Sequence, residues 1–395
     1  MQLFPQLFII FAIVTMDLLQ QRITSRVSIT CCNFLTFSYL CHRNDGHTTT
    51  THTCIVVSME HTIAINDYST LYVGRAEELL DRLLPEGRVI AITDANIDRL
   101  YPALVRRTEH IIIGGGEANK SLQSVAAIYD RLMNMGADRS TFILAIGGGI
   151  VTDIAGFVAT TYMRGLDFGF VSTTLLAQVD ASIGGKNGVN VGGYKNMVGT
   201  FSHPRFVISD VEMLRTLPPR ELRAGMAEAV KSAIVGDTAL FDYIDAHATE
   251  ALSCDTEVLS HIVLRSVAVK SAIVARDERE GGVRRLLNLG HTLGHAIEKL
   301  THSLNHGEAV AVGLSLIAHA AQRRGVFAED DVERIDNLLT ALGFDIVPPM
   351  PVADILHEVR HDKKRQDDII RVVLPECIGR CRVESVAINE LETMF

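Results

Sequence analysis

Positive charge is scarce in this chain: 37 Lys and Arg stand against 47 Asp and Glu, a formal net charge of −10 over 395 residues. A nucleic acid or an anionic membrane surface needs a basic face, so neither is expected as a partner. Long apolar runs are also missing. The stretch from Leu7 to Val14 is too short to cross a bilayer, and no Lys or Arg precedes it as a secretory signal requires. No internal repeat is evident. Only 7 cysteines occur, and the three beyond residue 58, Cys254, Cys377 and Cys381, show no pairing logic. They read as reduced thiols of a cytoplasmic protein.

The first 58 residues lack glutamate altogether, and Asp17 and Asp45 are their only acids. They also hold Cys31, Cys32, Cys41 and Cys54 and a threonine run from Thr48 to Thr51. From Met59 an ordinary globular pattern begins. Residues 1–58 are therefore expected to be a spurious or disordered extension, a targeting segment being the other reading.

Against these absences stand histidines in a telling arrangement. His291 and His295 lie four apart in a segment whose apolar neighbours (Leu287, Leu289, Leu293, Ala296, Ile297, Leu300) repeat at helical spacing. Both imidazoles then project from roughly one helix face and can reach one ion. His306 and Glu228 complete a set of imidazole nitrogens and a carboxylate, the ligand chemistry of zinc or a similar divalent ion. Three protein ligands leave a position open for substrate. His pairs at this spacing also occur on helices that bind no metal, so the reading requires the fold to bring His306 and Glu228 to the pair.

Upstream, the strand-length apolar run 142–146 meets Gly147-Gly148-Gly149, followed by Ile150, Val151, Ile154, Ala155, Phe157 and Val158 at helix-like intervals. Strand, turn and helix follow in order. Glycines let backbone approach a pyrophosphate, and the helix N-terminus offers unpaired N–H groups. The block is not the Gly-x-Gly-x-x-Gly fingerprint, so it is equally a tight strand-to-helix turn. A third cluster, Ser172 to Asn190, is polar and glycine-rich, with Lys195 and Asn196 close behind. Lysines beside glycine turns serve as point-charge partners for phosphate or carboxylate, or simply as solvated loop residues.

At 395 residues with 47% hydrophobic content the chain can fill two cores. Apolar β-rich runs at 89–92, 111–113, 143–146, 168–171 and 206–208 alternate with helical patterns around 75–84, 121–135 and 150–161. This predicts a Rossmann-like α/β domain with a parallel sheet over residues 59–216. Long helical patterns follow at 220–235, 256–276, 288–300, 307–324 and 330–342, and a small element lies near 369–374. A mainly α-helical domain is therefore expected over 217–395. The pocket should lie between the two, since cofactor motifs come from one and metal ligands from the other.

From about Gly116 to Lys364 the chain resembles the 3-dehydroquinate synthases. The resemblance is carried by Gly147-Gly148-Gly149-x3-Asp153-x2-Gly156-Phe157, Tyr162-Met163-Arg164-Gly165, Thr173-Thr174-Leu175-Leu176, Gly184-Gly185-Lys186, Lys195-Asn196 and Glu228-x2-Lys231. It continues through Asp277-Glu278-x-Glu280, Arg284-x3-Asn288-x-Gly290-His291-Thr292-x2-His295 and His306-Gly307-Glu308. Ser172 and Asn187 stand where that family usually has proline and threonine; neither has a catalytic role to lose.

This resemblance implies that Glu228, His291 and His306 are the zinc or cobalt ligands, with His295 beside the metal as an acid–base or phosphate-positioning residue. It implies NAD at Asp94, Asn96, Glu117, Lys120, Gly148, Gly149, Asp153, Thr173 and Thr174, with Asp180, Lys186 and Lys195 near by. It implies a phosphorylated, carboxylated sugar acid among Arg164, Asp180, Lys186, Asn196, Lys231, Lys270, Arg284, Asn288 and one of Lys363 or Lys364. Catalytic roles fall to His295, Lys186, Lys231, Glu280, Arg284 and Asn288.

The implied reaction converts 3-deoxy-D-arabino-heptulosonate 7-phosphate to 3-dehydroquinate. NAD takes a hydride from a metal-bound alcohol, phosphate leaves by β-elimination, the hydride returns, and the opened ring recloses by an aldol step. A homodimer is implied too, with Arg164 reaching the partner's pocket. Three other readings use the same motifs: a sister cyclase acting on a sugar phosphate without the carboxylate, a metal-dependent polyol dehydrogenase that releases NADH, and an inactive binding protein. Arg284, Asn288, Lys270 and the Asp-Lys-Lys at 362–364 favour the carboxylated substrate.

Overall fold

The computed structural model describes residues 61–360 and 369–395, and the backbone of three antiparallel strands upstream, Val27–Ser28, Phe37–His42 and Thr49–Cys54. The expected extension, 1–58, otherwise lies outside the described residues, as do Lys363 and Lys364. Two compact units result, Met1–Glu60 and His61–Phe395, and the second holds every candidate site residue.

Seven strands form the sheet of that unit: β1 (His61–Ala64), β2 (Thr70–Val73), β3 (Val89–Asp94), β4 (Glu109–Ile113), β5 (Phe142–Gly147), β6 (Phe168–Ser172) and, after a separate hairpin of β7 (Lys186–Val191) and β8 (Tyr194–Phe201), β9 (Phe206–Ser209). Their order is β1-β2-β9-β6-β5-β3-β4. All neighbours are parallel except β1 and β2, so the predicted parallel sheet carries one antiparallel edge. Every position of β5, β6 and β9 is buried. Their unbroken apolar runs follow from helices covering both faces. Helices α1 (Ala76–Leu83), α2 (Ala95–Leu100), α3 (Leu122–Asn134) and α4 (Gly149–Thr161) connect these strands. The chain leaves β3 for β4 on one side and returns to β5 on the other. That reversal makes the carboxyl ends of β3 and β5, Asp94 and Gly147, a topological switch point, where open α/β sheets bind ligands.

The helical half comprises α5 (Pro219–Gly236), α6 (Thr238–Ala246), α7 (Thr256–Val274), α8 (His291–Leu300), α9 (His306–Arg323), α10 (Glu329–Ala341) and α11 (Val352–Arg360). A hairpin of β10 (Ile369–Cys377) and β11 (Arg380–Ala387) packs on α5 and α9. Helix α5 is buried at all but one position from Leu222 to Val235, the exception being the half-buried Arg223, so it is the axis on which α7 and α9 pack. Predicted helix positions agree with the observed ones to within a few residues, apart from 288–300. There Gly290, in the left-handed region at φ 74, separates a short turn at Val283–Asn288 from α8. Leu287 and Leu289 therefore lie outside the helix that carries His291 and His295. One hydrophobic core runs through both halves, from Ile90 and Ile143 in the sheet to Val230, Ile262 and Leu314 in the helices.

The polar, glycine-rich cluster from Ser172 to Asn190 takes up regular structure over much of its length. Residues 177–181 form a single π turn, and 186–201 form the β7–β8 hairpin lying on α4. Among the described residues no helix is long and apolar enough to cross a membrane, and Cys254, Cys377 and Cys381 are free thiols.

Candidate active site

Helix α9 starts where it does because Asn305 caps it, accepting from Glu308 N at 2.9 Å while the Glu308 carboxylate accepts from Asn305 N at 2.8 Å. Its second residue, Gly307, lies against the Ala224 backbone of α5 so closely that any Cβ would collide. That approach sets His306, at the first turn of α9, opposite Glu228, one turn further along α5. Glu228 Oε1 stands 3.2 Å from His306 Nε2 and 3.4 Å from His291 Nε2. One ligand atom from each of the three residues lies within 4.8 Å of the others.

The protonation pattern suits a cation. His291 Nδ1 faces the Leu289 carbonyl at 3.1 Å, so it carries the proton and Nε2 presents its lone pair to the carboxylate. Burial holds this imidazole neutral, with a pKa near 4. Burial also works against charge on His306, but the Glu228 and Glu298 carboxylates overcome it and raise the ring to about 10. Burial alone would raise the Glu228 carboxyl; the Lys231 ammonium and the charged His306 ring hold it well below the usual range. Two nitrogens and a carboxylate aimed at one point require positive charge there. A proton on His306 supplies it, and a divalent ion would supply it better.

His295 joins the group without joining that triad. Its ring packs edge-on to His291 at 5.2 Å and lies 6.1 Å from His306. With Glu298 and His306 it forms a second set of ligand atoms within 4.8 Å. Glu298 was not foreseen from the sequence. The signal was present: it follows His295 by three positions and His291 by seven, on the same face of α8.

Beside the triad a buried ladder of charge begins. Lys231, one turn beyond Glu228, pairs with it and, at 3.2 Å, with Asp180. Lys270 from α7 meets Asp180 Oδ1 at 2.9 Å and its carbonyl at 2.7 Å. Asp180 projects from the π turn, a distortion that recurs at functional sites. Burial would raise its carboxyl, yet Lys231 and Lys270 bring it to about 2. Lys186 pairs with Glu280, whose other oxygen accepts from Asn288 Nδ2 at 2.5 Å. Arg284 donates to the Glu278 carbonyl and, at 2.9 Å, to the Gly184 carbonyl. Lys231, Asp180 and Lys270 thus run on from the triad, while Lys186, Glu280 and Asn288 form a second linked group, with Arg284 in electrostatic reach of both Glu280 and Asp180.

On the sheet side, Gly148 caps α4 with no side-chain acceptor, leaving backbone N–H groups open. A Cβ on Gly148 would fall 2.8 Å from Thr174 Cγ2, so a side chain there would force Thr174 to shift. Thr173 Oγ1 is buried without a hydrogen-bond partner beside it. Both features fit a ligand phosphate. Lys120 Nζ lies 2.5 Å from Asp153 Oδ2 and 2.5 Å from Asn196 Oδ1. Glu117 accepts from Asn190 at 2.8 Å. Lys195 reaches Glu298 at 2.9 Å. Asp94 spends one oxygen capping α2, at 2.8 Å from Asn96 N. Thr174 Oγ1 accepts from Ala177 N at 3.2 Å, and Gly149 follows the turn.

Arg164 is not brought to this pocket. It sits exposed just past the far end of α4, a helix about 20 Å long by its rise per residue, from the Gly148 turn. Met163 and Arg164 both hold positive φ, 50° and 74°.

A family model described as 3-dehydroquinate synthase N-terminal matches residues 110–224, and its C-terminal counterpart matches 225–365. The chain belongs to the 3-dehydroquinate synthase family. It is 42% identical over 324 residues to the 3-dehydroquinate synthase of Laribacter hongkongensis, covering 79% of this chain and 90% of that one. Among solved structures it is similar to a 2-deoxy-scyllo-inosose synthase complexed with carbaglucose-6-phosphate, NAD+ and Co2+, with TM-score 0.76, 28% identity, 84% of this chain and 98% of that one. A 2-epi-5-epi-valiolone synthase from Streptomyces hygroscopicus subsp. jinggangensis, with NAD+ and Zn2+ bound, is similar at TM-score 0.75 and 27% identity, over 82% of this chain and 94% of that one.

Proposed function

We propose that this chain is a phosphate-eliminating carbon–oxygen lyase that converts 3-deoxy-D-arabino-heptulosonate 7-phosphate to 3-dehydroquinate and phosphate, the chemistry its family and its 42%-identical relative are named for. The observation that carries the reading is the Glu228–His291–His306 triad, whose atoms lie within 4.8 Å of one another beside a buried group of cations. When bound, a divalent ion would acidify a substrate hydroxyl and NAD would exchange a hydride, with no net redox.

In this reading the chain's own residues do the remaining work. Glu228 Oε1 and the Nε2 atoms of His291 and His306 hold the ion. The Gly148–Gly149 turn, Thr173 and Thr174 receive the cofactor's phosphates, with Asp94, Asn96, Glu117, Lys120, Asp153 and Lys195 around the rest. Lys186, Lys231, Lys270, Arg284 and Asn288, with Asn196 beside them, supply fixed partners for phosphate and carboxylate, orienting the leaving group and stabilising its charge. Asp180 and Glu280 keep those cations in place until substrate arrives. His295 moves or positions a proton at the edge of the triad. The site lies between a cofactor half, 59–216, and a helical half, 217–395. Arg164, remote from its own pocket and on a strained exposed turn, serves a homodimer by reaching the partner's site. The enzyme works in the cytoplasm.

Purified protein given the heptulosonate phosphate, zinc and substoichiometric NAD+ should release many equivalents of phosphate per NAD. NADH accumulating one for one with product would instead mark a dehydrogenase. Turnover confined to a carboxylate-free sugar phosphate would mark a sister cyclase. His306→Ala should lose metal and activity together, whereas His295→Ala should keep its metal and lose turnover.

A further inference from the structure

We propose that Glu298 is a positioning residue for the metal site: it holds the His306 ring by its Nδ1–H, leaving Nε2 for the ion, and through Lys195 it ties the β7–β8 hairpin to that ring. The inference rests on the assignment of Glu228, His291 and His306 as ligands.

The two ligand imidazoles solve the same problem differently. A neutral ring that offers Nε2 must carry its proton on Nδ1, and a buried N–H needs an acceptor. His291 uses a backbone carbonyl, Leu289 O at 3.1 Å. His306 uses a carboxylate, Glu298 Oε2 at 3.2 Å. A carboxylate fixes the tautomer and also makes the ligating nitrogen more basic, so His306 becomes the stronger donor of the pair. The Glu298 side chain is only 9% exposed, which leaves its second oxygen few places to find a partner. It finds Lys195 Nζ at 2.9 Å.

Lys195 is the residue that gives Glu298 a further meaning. Its chain neighbour Asn196 accepts from Lys120 Nζ, which also pairs with Asp153 of α4, the helix behind the glycine turn. Asn196 holds φ 52, outside strand geometry. Two adjacent hairpin residues therefore grip the two halves of the site, Asn196 the Lys120 ammonium that pairs with Asp153, and Lys195 the carboxylate behind His306. Loss of either grip should be felt at the ion.

The test is zinc affinity of metal-free protein, measured by competition with a chromophoric chelator, together with the visible spectrum of the cobalt-loaded form. Glu298→Gln should weaken zinc about 10- to 100-fold and shift the cobalt bands, the usual size of losing a carboxylate behind a ligating histidine. The metal-free variant should still unfold in one cooperative transition, with a midpoint lowered by the loss of a buried charge partner, so the cobalt bands and the Glu298→Asp recovery separate positioning from stability. Glu298→Asp should recover part of the affinity. Lys195→Met should weaken zinc by up to about 5-fold, as for a partly exposed ion pair. Wild-type affinity and spectrum in Glu298→Gln overturn the proposal, as does a Glu298→Asp variant no better than Glu298→Gln; unchanged zinc affinity in Lys195→Met overturns the hairpin link. Glu228→Gln separates the two levels. If it loses zinc while Glu298→Gln binds normally, only the positioning role fails. If it keeps zinc, the ligand assignment fails first.

Discussion

The two sides of the site are built on opposite principles. On the sheet side the features that suit a ligand are backbone: the Gly148 turn, a helix N-terminus and one unpartnered hydroxyl. Its charged residues already have structural duties, as Asp94 caps α2 and Lys120 answers Asp153. On the helical side the features are buried side-chain charges. Glu228 and Lys231 are 1% and 2% exposed, yet both are ionised by mutual contact. Such an arrangement persists only while every member is answered, because a lone buried charge costs several kcal/mol. Away from the buried Lys120–Asp153 pair, the sheet side should therefore tolerate loss of a charge and resist added volume. The helical side should behave the other way.

The largest effect that would break this contrast is at Lys231. Replacing it by Met leaves Glu228 and Asp180 facing each other without their shared cation, and should cost about 3–5 kcal/mol in urea unfolding of the metal-free protein. A loss under 1 kcal/mol would mean that the helical side is not held by its charges. Next comes Gly148→Ala, whose methyl would press on Thr174. It should cost about 1–3 kcal/mol of NAD+ affinity by calorimetry, with zinc content unchanged. Equal NAD+ affinity would remove the backbone argument for the glycine turn.

Smaller still is Asp94→Ala, which removes the cap of α2. About 1 kcal/mol of stability should go, a tenth of typical domain stability. The smallest effect is a pH dependence away from the site. Asp237 caps α6 and binds Arg265 through two 2.7 Å contacts. Burial would raise this carboxyl, but Arg265 and the helix N–H groups hold it below its ordinary value. Its contribution is therefore complete above the unfolded value, near 3.9, and fades as pH falls through the lower folded one. Asp237→Asn should lower stability near pH 7, where the contribution is complete, and leave the acid end little changed, so that the acid limb of the profile is flatter. An unaltered acid limb would assign that loss to other carboxylates.

The same contrast explains what could be read from the sequence. Helix periodicity and the triplet Gly147-Gly148-Gly149 are local signals, and the long helices and the strand–turn–helix around that triplet stand where those signals put them. The i, i+4 histidines likewise share a helix. What local pattern could not supply was partnership. Glu228 and His306 are 78 positions apart and meet only because Gly307 lets α9 touch α5; that pairing came from resemblance. The β7–β8 hairpin was hidden because each strand is largely polar and interrupted by a glycine, and β8 is mostly exposed, so neither shows the apolar alternation of an ordinary strand. Glu298 was missed for a related reason. A single glutamate on an amphipathic helix looks like a solvated residue until a histidine from the next helix turns out to face it.

The claim on which the rest depends is that one ion is held by Glu228, His291 and His306. X-ray absorption at the zinc edge of the loaded protein tests it most directly. The account predicts two imidazole nitrogens at about 2.0–2.1 Å and a carboxylate oxygen at about 2.0–2.2 Å, with one imidazole lost in His291→Ala and none in His295→Ala. A coordination shell that loses an imidazole when His295 is replaced, or that is unchanged in Glu228→Gln, would contradict it.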